Sequence, residues 1–178
     1  SAGANIIDVS IPDLMEYIAG WRDICTAEAV TAHQEFFPSR ESEYGAMFRS
    51  WLQYGASITA SDYADAHHKR LICNGIMADV FNKIDVLVCP TIVSFEPRLS
   101  DEELFFTPLK KFSSKHQKFT VPFDFNGAPT VTVPGGLNAQ GILLSVQFAS
   151  KPLREDVAIK AAKIYERSTE HSELHPDI

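Results

Sequence analysis

FTVPFDFNGAPTVTVPGG, the run from Phe119 to Gly136, sets prolines and glycines around two short apolar stretches. That density pins backbone dihedrals where a chain turns sharply between elements. Thr120 and Pro122 suit the opening of a helical turn, with Thr120 near the cap and Pro122 needing no amide donor. Gly127 suits its left-handed end, and Pro129 prevents any return to helix. Thr130-Val131-Thr132-Val133 then alternates hydroxyl and valine as a half-buried strand does, and Pro134-Gly135-Gly136 is expected to stop it. The run from Ile142 to Phe148 is long enough to pair with that strand.

Working outward, Asp85-Val86-Leu87-Val88-Cys89-Pro90-Thr91 contains a compact apolar run that suits a strand covered by helices on both faces. The segment before it reads as helices. Ile6 to Val9 is expected as a short strand, and Pro12 opens a helix carrying Leu14, Ile18, Trp21 and Cys25 to about His33. A shorter helix spans Glu43 to Tyr54, ending near Gly55. Thr59 and Asp62 read as a capping box in which aspartate replaces the usual glutamate. The helix it opens keeps Tyr63, Ala66, Cys73, Met77, Phe81 and Ile84 near one stripe, the pattern of core packing. An amphipathic helix follows from Glu155 to Ser168, with Glu155 and Asp156 in its first turn where they complement the helix dipole.

The ordered motifs carry more than turns. Asp85 to Thr91, Thr120-Val121-Pro122, Gly127-Ala128-Pro129, Pro134-Gly135-Gly136 and the strand ending Ser145-Val146-Gln147-Phe148 resemble, in this order, the corresponding segments of amidase-signature hydrolases. The resemblance is weak to about residue 60 and clear from Asp62 onward. It implies an α/β fold, part of an α/β/α sandwich whose mixed sheet is covered by helices. Residues 1–178 then form a single domain, the C-terminal portion of such a protein, with a variable loop over residues 90–118. It also implies that Asp85, Pro90, Thr120, Pro122, Gly127, Pro129, Pro134 and Gly135 are structural motif positions.

In that family an amide C–N bond is cleaved through an acyl-serine, using a serine in a Gly/Ser-rich loop, a second serine in a cis peptide and an earlier lysine. This sequence holds no Gly-Gly-Ser-Ser segment, and Gly135-Gly136 runs into Leu137 and Asn138. Catalytic residues are therefore not expected in this chain. Ser113-Ser114-Lys115 offers suitable side chains in immediate succession, where they do not converge on one carbonyl. By the same resemblance the variable loop lines the substrate funnel, so Phe95, Phe105, Phe106 and Phe112 are candidate pocket residues beside the reading of simple hydrophobic anchors. The tRNA-linked, glutamine-hydrolysing branch places an acidic residue three positions before the motif threonine, where this chain has Gln117. A neutral side chain there points to a neutral or aromatic amide as substrate.

Composition narrows the alternatives. With 178 residues, 45% hydrophobic and 22% charged, the chain buries a substantial core. A net charge of −7 and a pI of about 5.3 give no broad basic field for nucleic acid. The longest apolar runs fall far below the roughly 20 residues of a membrane span. The N-terminus lacks the basic region and apolar run of a signal peptide, and Ser1-Ala2-Gly3-Ala4 reads as an expression scar or the edge of a truncation. Cys25, Cys73 and Cys89 are too scattered for a disulfide framework or a zinc site and read as small buried hydrophobes, as expected in a reducing cytoplasm. His171 and His175 have helical i, i+4 spacing but no third ligand, and adjacent His67 and His68 diverge, so neither metal nor cofactor is expected.

Three readings stand at this level: part of an amidase that supplies scaffold and pocket wall, a non-catalytic remnant that binds a ligand or partner, and one component of a split amidase or amidotransferase. The partners expected are an amide substrate, a catalytic half in cis or in trans, and, for the isolated chain, another copy of itself through unpaired strand edges.

Overall fold

The computed structural model describes residues 3–93 and 117–174. Contacts among them gather into two compact units, residues 15–72 in one and residues 3–14, 73–93 and 117–174 in the other. The four candidate pocket phenylalanines, Phe95, Phe105, Phe106 and Phe112, lie outside the described residues, as does His175.

The helical unit begins with α1 (Met15–Ile18) and α2 (Gly20–Ala32), a broken version of the single helix expected from Pro12 to His33. The break falls beside Gly20, where a Cβ would stand 3.2 Å from the backbone of Ala66. Leu14 and Ile18 are buried as the pattern requires, and Ile24 joins them, while Cys25 is half-buried. Next, a 3₁₀ turn (Glu41–Glu43) and α3 (Ala46–Gly55) replace the continuous helix expected from Glu43, because Gly45 between them is extended at φ −56°, ψ 147°. Helix α3 packs on α2 through Trp21 and Trp51, whose rings meet edge to face at 5.9 Å, and Leu52 is fully buried.

Helix α4 (Ala60–Phe81) opens with the expected capping box. Asp62 accepts from the Thr59 amide at 3.0 Å and its own amide donates to Thr59 Oγ1 at 3.2 Å. The Thr59 hydroxyl and amide together hold the Asp62 carboxyl below its ordinary range. Aspartate therefore performs the reciprocal capping that glutamate usually performs. Ala66, Cys73, Met77 and Phe81 are buried along one stripe, with Val80 beside them, whereas Tyr63 and Ile84 are only half-buried.

The second unit is built on a three-stranded sheet of order β1-β3-β2, formed by β1 (Val86–Pro90), β2 (Thr130–Leu137) and β3 (Leu143–Ser150). Every described pairing is antiparallel. Among the described residues β1 lies at an edge of this sheet, and the face carrying Val88, 55% exposed, is uncovered rather than packed under a helix as expected. Val133 and Phe148 form a core with Ala162 of α6 (Glu155–Arg167), and Val86, Val131, Val146 and Tyr165 pack around it. The alternation in β2 is as expected, valines inward and Thr130 and Thr132 exposed. Pro134-Gly135-Gly136 does not stop the strand. A bulge between Pro134 and Gly136 shifts the register, and pairing resumes at Gly136 with Leu144 and continues to Leu137 with Leu143. An edge strand tolerates proline and a bulge absorbs the extra residue, so punctuation that ends a central strand does not end this one.

Ile6 to Val9 forms no strand, and Ile6 and Ile7 are 84% and 53% exposed. Helix α6 ends at Arg167, one residue short of expectation, and its first-turn Asp156 is engaged by the Arg154 guanidinium at 2.9 Å. That hydrogen bond holds the exposed Asp156 carboxyl below its ordinary value. Among the described residues no helix is long and apolar enough to cross a membrane.

Candidate functional site

Between β1 and β2 the chain makes the turn that the Thr-x-Pro and Gly-x-Pro motifs encode. Helix α5 (Val121–Asn126) carries Pro122 in its first turn and ends at Gly127, which is left-handed at φ 68°. An L-residue at Gly127 meets the steric penalty of that region, so glycine here answers a backbone requirement. Asn126 Oδ1 then accepts from the Ala128 amide at 2.8 Å, which turns the chain into β2. The expected cap at Thr120 does not form. Its hydroxyl instead donates back to Gln117 O at 3.4 Å, while the Thr120 carbonyl accepts from the amides of Phe123 and Asp124 at 3.0 and 3.2 Å.

The structure joins this turn to the end of β1 through one buried side chain. Gln147, at the middle of β3 and 3% exposed, stands opposite Cys89 on one side and Thr132 on the other. Its Nε2 donates to Phe119 O at 2.7 Å and approaches Cys89 Sγ at 3.5 Å. Burial pushes the Cys89 thiol up, and the Gln147 donor partly offsets that rise. Burial also pushes the fully enclosed Cys73 thiol up to about 11. Both are therefore protonated, weakly nucleophilic sulfurs near neutral pH.

A second carboxamide holds the far end of α5. Asn74 of α4 donates from Nδ2 to Phe125 O at 3.1 Å, and its Oδ1 is buried without a hydrogen-bond partner. Asn74 escapes any reading of sequence pattern, because its partner is 51 residues away.

Of the motif positions, Pro90 and Pro134 stand at the same end of the sheet on its two edges, opposite Val146 and Ser145 of β3. Gly135 lies against Val146, its Cβ position 2.8 Å from Val146 Cγ2. Exposed Asp85 and half-buried Pro129 belong to the other end, where the Ser150 amide donates to Pro129 O at 3.2 Å. Half-buried Gln117 opens the turn that leads through Phe119 to Thr120, with the Thr120 amide donating to its carbonyl at 3.1 Å. Next to Pro90, the Thr91 hydroxyl is buried and unpaired. The meeting point of Cys89 to Thr91, Gln117 to Thr120 and Gln147 is the candidate site.

Lys69 engages Asp65 at 2.7 Å, Lys151 lies 3.5 Å from Asn82, and the buried Ser150 hydroxyl donates to Arg154 O at 2.7 Å. Between described residues no serine or threonine hydroxyl is hydrogen-bonded to a lysine or histidine, the contact a serine nucleophile needs for activation. No group of three His, Cys, Asp or Glu side chains that could hold a metal ion occurs among the described residues. His171 instead packs near the β2 bulge, its ring 3.3 Å from the Cβ position of Gly136.

The family model described as Amidase matches residues 1–158. The chain belongs to the amidase family. An amidase of Pseudomonas putida is 28% identical over 99% of this chain and 38% of its own length. A component of the glutamyl-tRNA(Gln) amidotransferase of Brucella suis is 26% identical over 94% of the chain and 38% of its own length. Among solved structures, a crystal structure of an amidase superposes with a TM-score of 0.80 at 20% identity, covering 93% of this chain and 38% of that one. The fold is accordingly that of the amidase-signature enzymes, and the chain spans about two fifths of the length of these relatives.

Proposed function

We propose that this chain is the C-terminal part of an amidase, supplying sheet, core and substrate wall to a Ser/cis-Ser/Lys centre whose nucleophile and base come from sequence outside these 178 residues. The observation that carries this reading is a family match over residues 1–158 in a chain that covers only 38% of its P. putida relative and holds no Gly/Ser-rich nucleophile segment. The reaction is hydrolysis of an amide C–N bond, with this part lining the acyl side through Gln117 and the motif turn. Phe95, Phe105, Phe106 and Phe112 belong to the same wall in this proposal. A neutral residue at Gln117 favours a neutral or aromatic amide over glutamine, whose ammonium group calls for a carboxylate partner.

The test is covalent labelling. Purified chain is expected to take up no fluorophosphonate probe and to hydrolyse neither an acetanilide nor glutamine. Turnover that disappears when one of the chain's own serines is changed to alanine overturns the reading. The sequence flanking the chain in its gene separates a catalytic segment in cis from one supplied in trans.

The apolar edge strand β1 supports a second element of the proposal. With Val88 55% exposed and one side of β1 unpaired among the described residues, the edge is a template for another strand. In the complete protein that strand comes from the catalytic part; in the isolated chain it comes from a second copy. Sedimentation velocity is expected to show a concentration-dependent rise in mass, and a monomer at every concentration rejects this pairing.

A further inference from the structure

Six residues are too few for a helix to stand alone, since isolated helices shorter than about 12 residues are marginal in water. Helix α5 carries the motif turn on such a segment, Val121–Asn126, without a side-chain cap at its start. What holds it comes from elsewhere in the unit. Gln147 of β3 donates to Phe119 O, just before the helix, and Asn74 of α4 donates to Phe125 O, near its end. These two carboxamides come from different elements, 28 and 51 residues from their partners.

Both placements run against simple packing. Gln147 is a 3% exposed polar residue in the central strand, where an apolar side chain would avoid the cost of desolvating an amide. Asn74 keeps a buried, unpaired Oδ1, a group that native structures seldom tolerate without cause. A shared task accounts for both. We propose that Gln147 and Asn74 are positioning residues that clamp the two ends of the α5 turn, fixing the Gln117 to Thr120 segment against the Pro90 end of β1. The functional sense of the clamp rests on the substrate-wall reading: Gln117 lies two residues before the held carbonyl, so the clamp sets where the acyl-side wall stands. Asn74 acts on the exit of the turn and Gln147 on its entry.

Amide hydrogen exchange on the 178-residue chain, read residue by residue without substrate, tests the clamp apart from the wall reading, which stands or falls by the labelling assay. Gln147→Leu leaves Phe119 O without its donor and is expected to speed exchange at Thr120, Phe123 and Asp124 roughly tenfold, the scale of one lost buried hydrogen bond. The amides of Val133 and Phe148 in the sheet are expected to stay unchanged. Asn74→Leu is expected to act on Ala128 and leave Thr120 as it was. A uniform rise through the sheet marks both residues as ordinary core, and no change at the turn removes the clamp; either result overturns the proposal. Should Gln147→Leu fail to fold, Gln147→Glu decides: a buried carboxyl is protonated at pH 5 and donates to Phe119 O, but is ionised at pH 9 and does not. Protection of the turn at pH 5 that is lost at pH 9 is the expected result, and equal protection at both rejects the clamp.

Discussion

Phe148→Ala is expected to destabilise the sheet unit by about 4 kcal/mol, in the range that burying a phenylalanine and then deleting it produces. Phe148 is 6% exposed, lies on the central strand opposite Val88 and Val131, and meets the tilted ring of Tyr165 of α6 at 5.5 Å between ring centroids. Its removal leaves a cavity bordered by Val133 and Ala162, and the wall is held by backbone on both sides, so collapse is limited. The edge-strand position of Val88, itself 55% exposed, makes Val88→Ala the contrasting case, with a loss of about 0.5 kcal/mol or less. Urea unfolding followed by far-ultraviolet circular dichroism, with hydrogen exchange at β3 amides, reads the difference. The tryptophans do not serve here, because Trp21 and Trp51 both lie in the helical unit. A loss below 1 kcal/mol for Phe148→Ala places the core of this unit elsewhere.

Much of the architecture is legible in the sequence wherever a requirement is local. Pro122, Gly127 and Pro129 announce the α5 turn through backbone restrictions that no neighbour alters, and Gly127 takes the left-handed conformation assigned to it. Thr59 and Asp62 read correctly because both capping partners lie within four residues. The valines of β2 read correctly because one face meets α6 and the other does not.

Sequence reading fails where long-range partners decide. Ile6 to Val9 has the composition of a strand, but a strand exists only with a neighbour to pair with, and none of the three paired strands takes it up. Pro134-Gly135-Gly136 has the composition of a strand end, yet an edge position and a bulge let β2 continue to Leu137. Thr120 has the chemistry of a cap, but its hydroxyl is engaged by Gln117 O. Division into two units leaves no trace in composition, because one boundary falls within α4, between Ile72 and Cys73, with no proline, glycine or polar run to mark it. The site itself is half visible. Thr120 and Pro90 read as motif positions and Gln117 as a pocket candidate, whereas the Asn74 contact has no spacing signature, and Gln147 reads as part of a strand and not as the donor that joins two segments.

Gly55→Ala is expected to cost the helical unit about 2 kcal/mol net, against the ordinary preference of helices for alanine. In an open helical position the change is favourable by about 1 kcal/mol. At Gly55, the last residue of α3, the added Cβ would stand 2.1 Å from Thr26 O, 2.5 Å from Thr26 C and 2.9 Å from Val30 Cγ2. The nearest obstacle is helix backbone, which cannot swing aside as a side-chain tip does, and overpacking of this kind costs about 3 kcal/mol at the upper end of its usual range. The same turn of α3 carries Leu52, 0% exposed, and Trp51 meets Trp21 across the contact, so separating α2 from α3 also loosens both. Gly75 of α4 supplies the internal control: its Cβ position meets nothing within 4 Å, and Gly75→Ala is expected to stabilise by about 1 kcal/mol on helix propensity alone. Tryptophan fluorescence during urea unfolding reads Gly55→Ala at the α2–α3 contact, and far-ultraviolet circular dichroism reads Gly75→Ala, whose position belongs to the sheet unit. Opposite signs for the two glycines place the constraint in the close approach of α3 to Thr26; a gain at both positions shows that α2 and α3 lie farther apart than this packing requires.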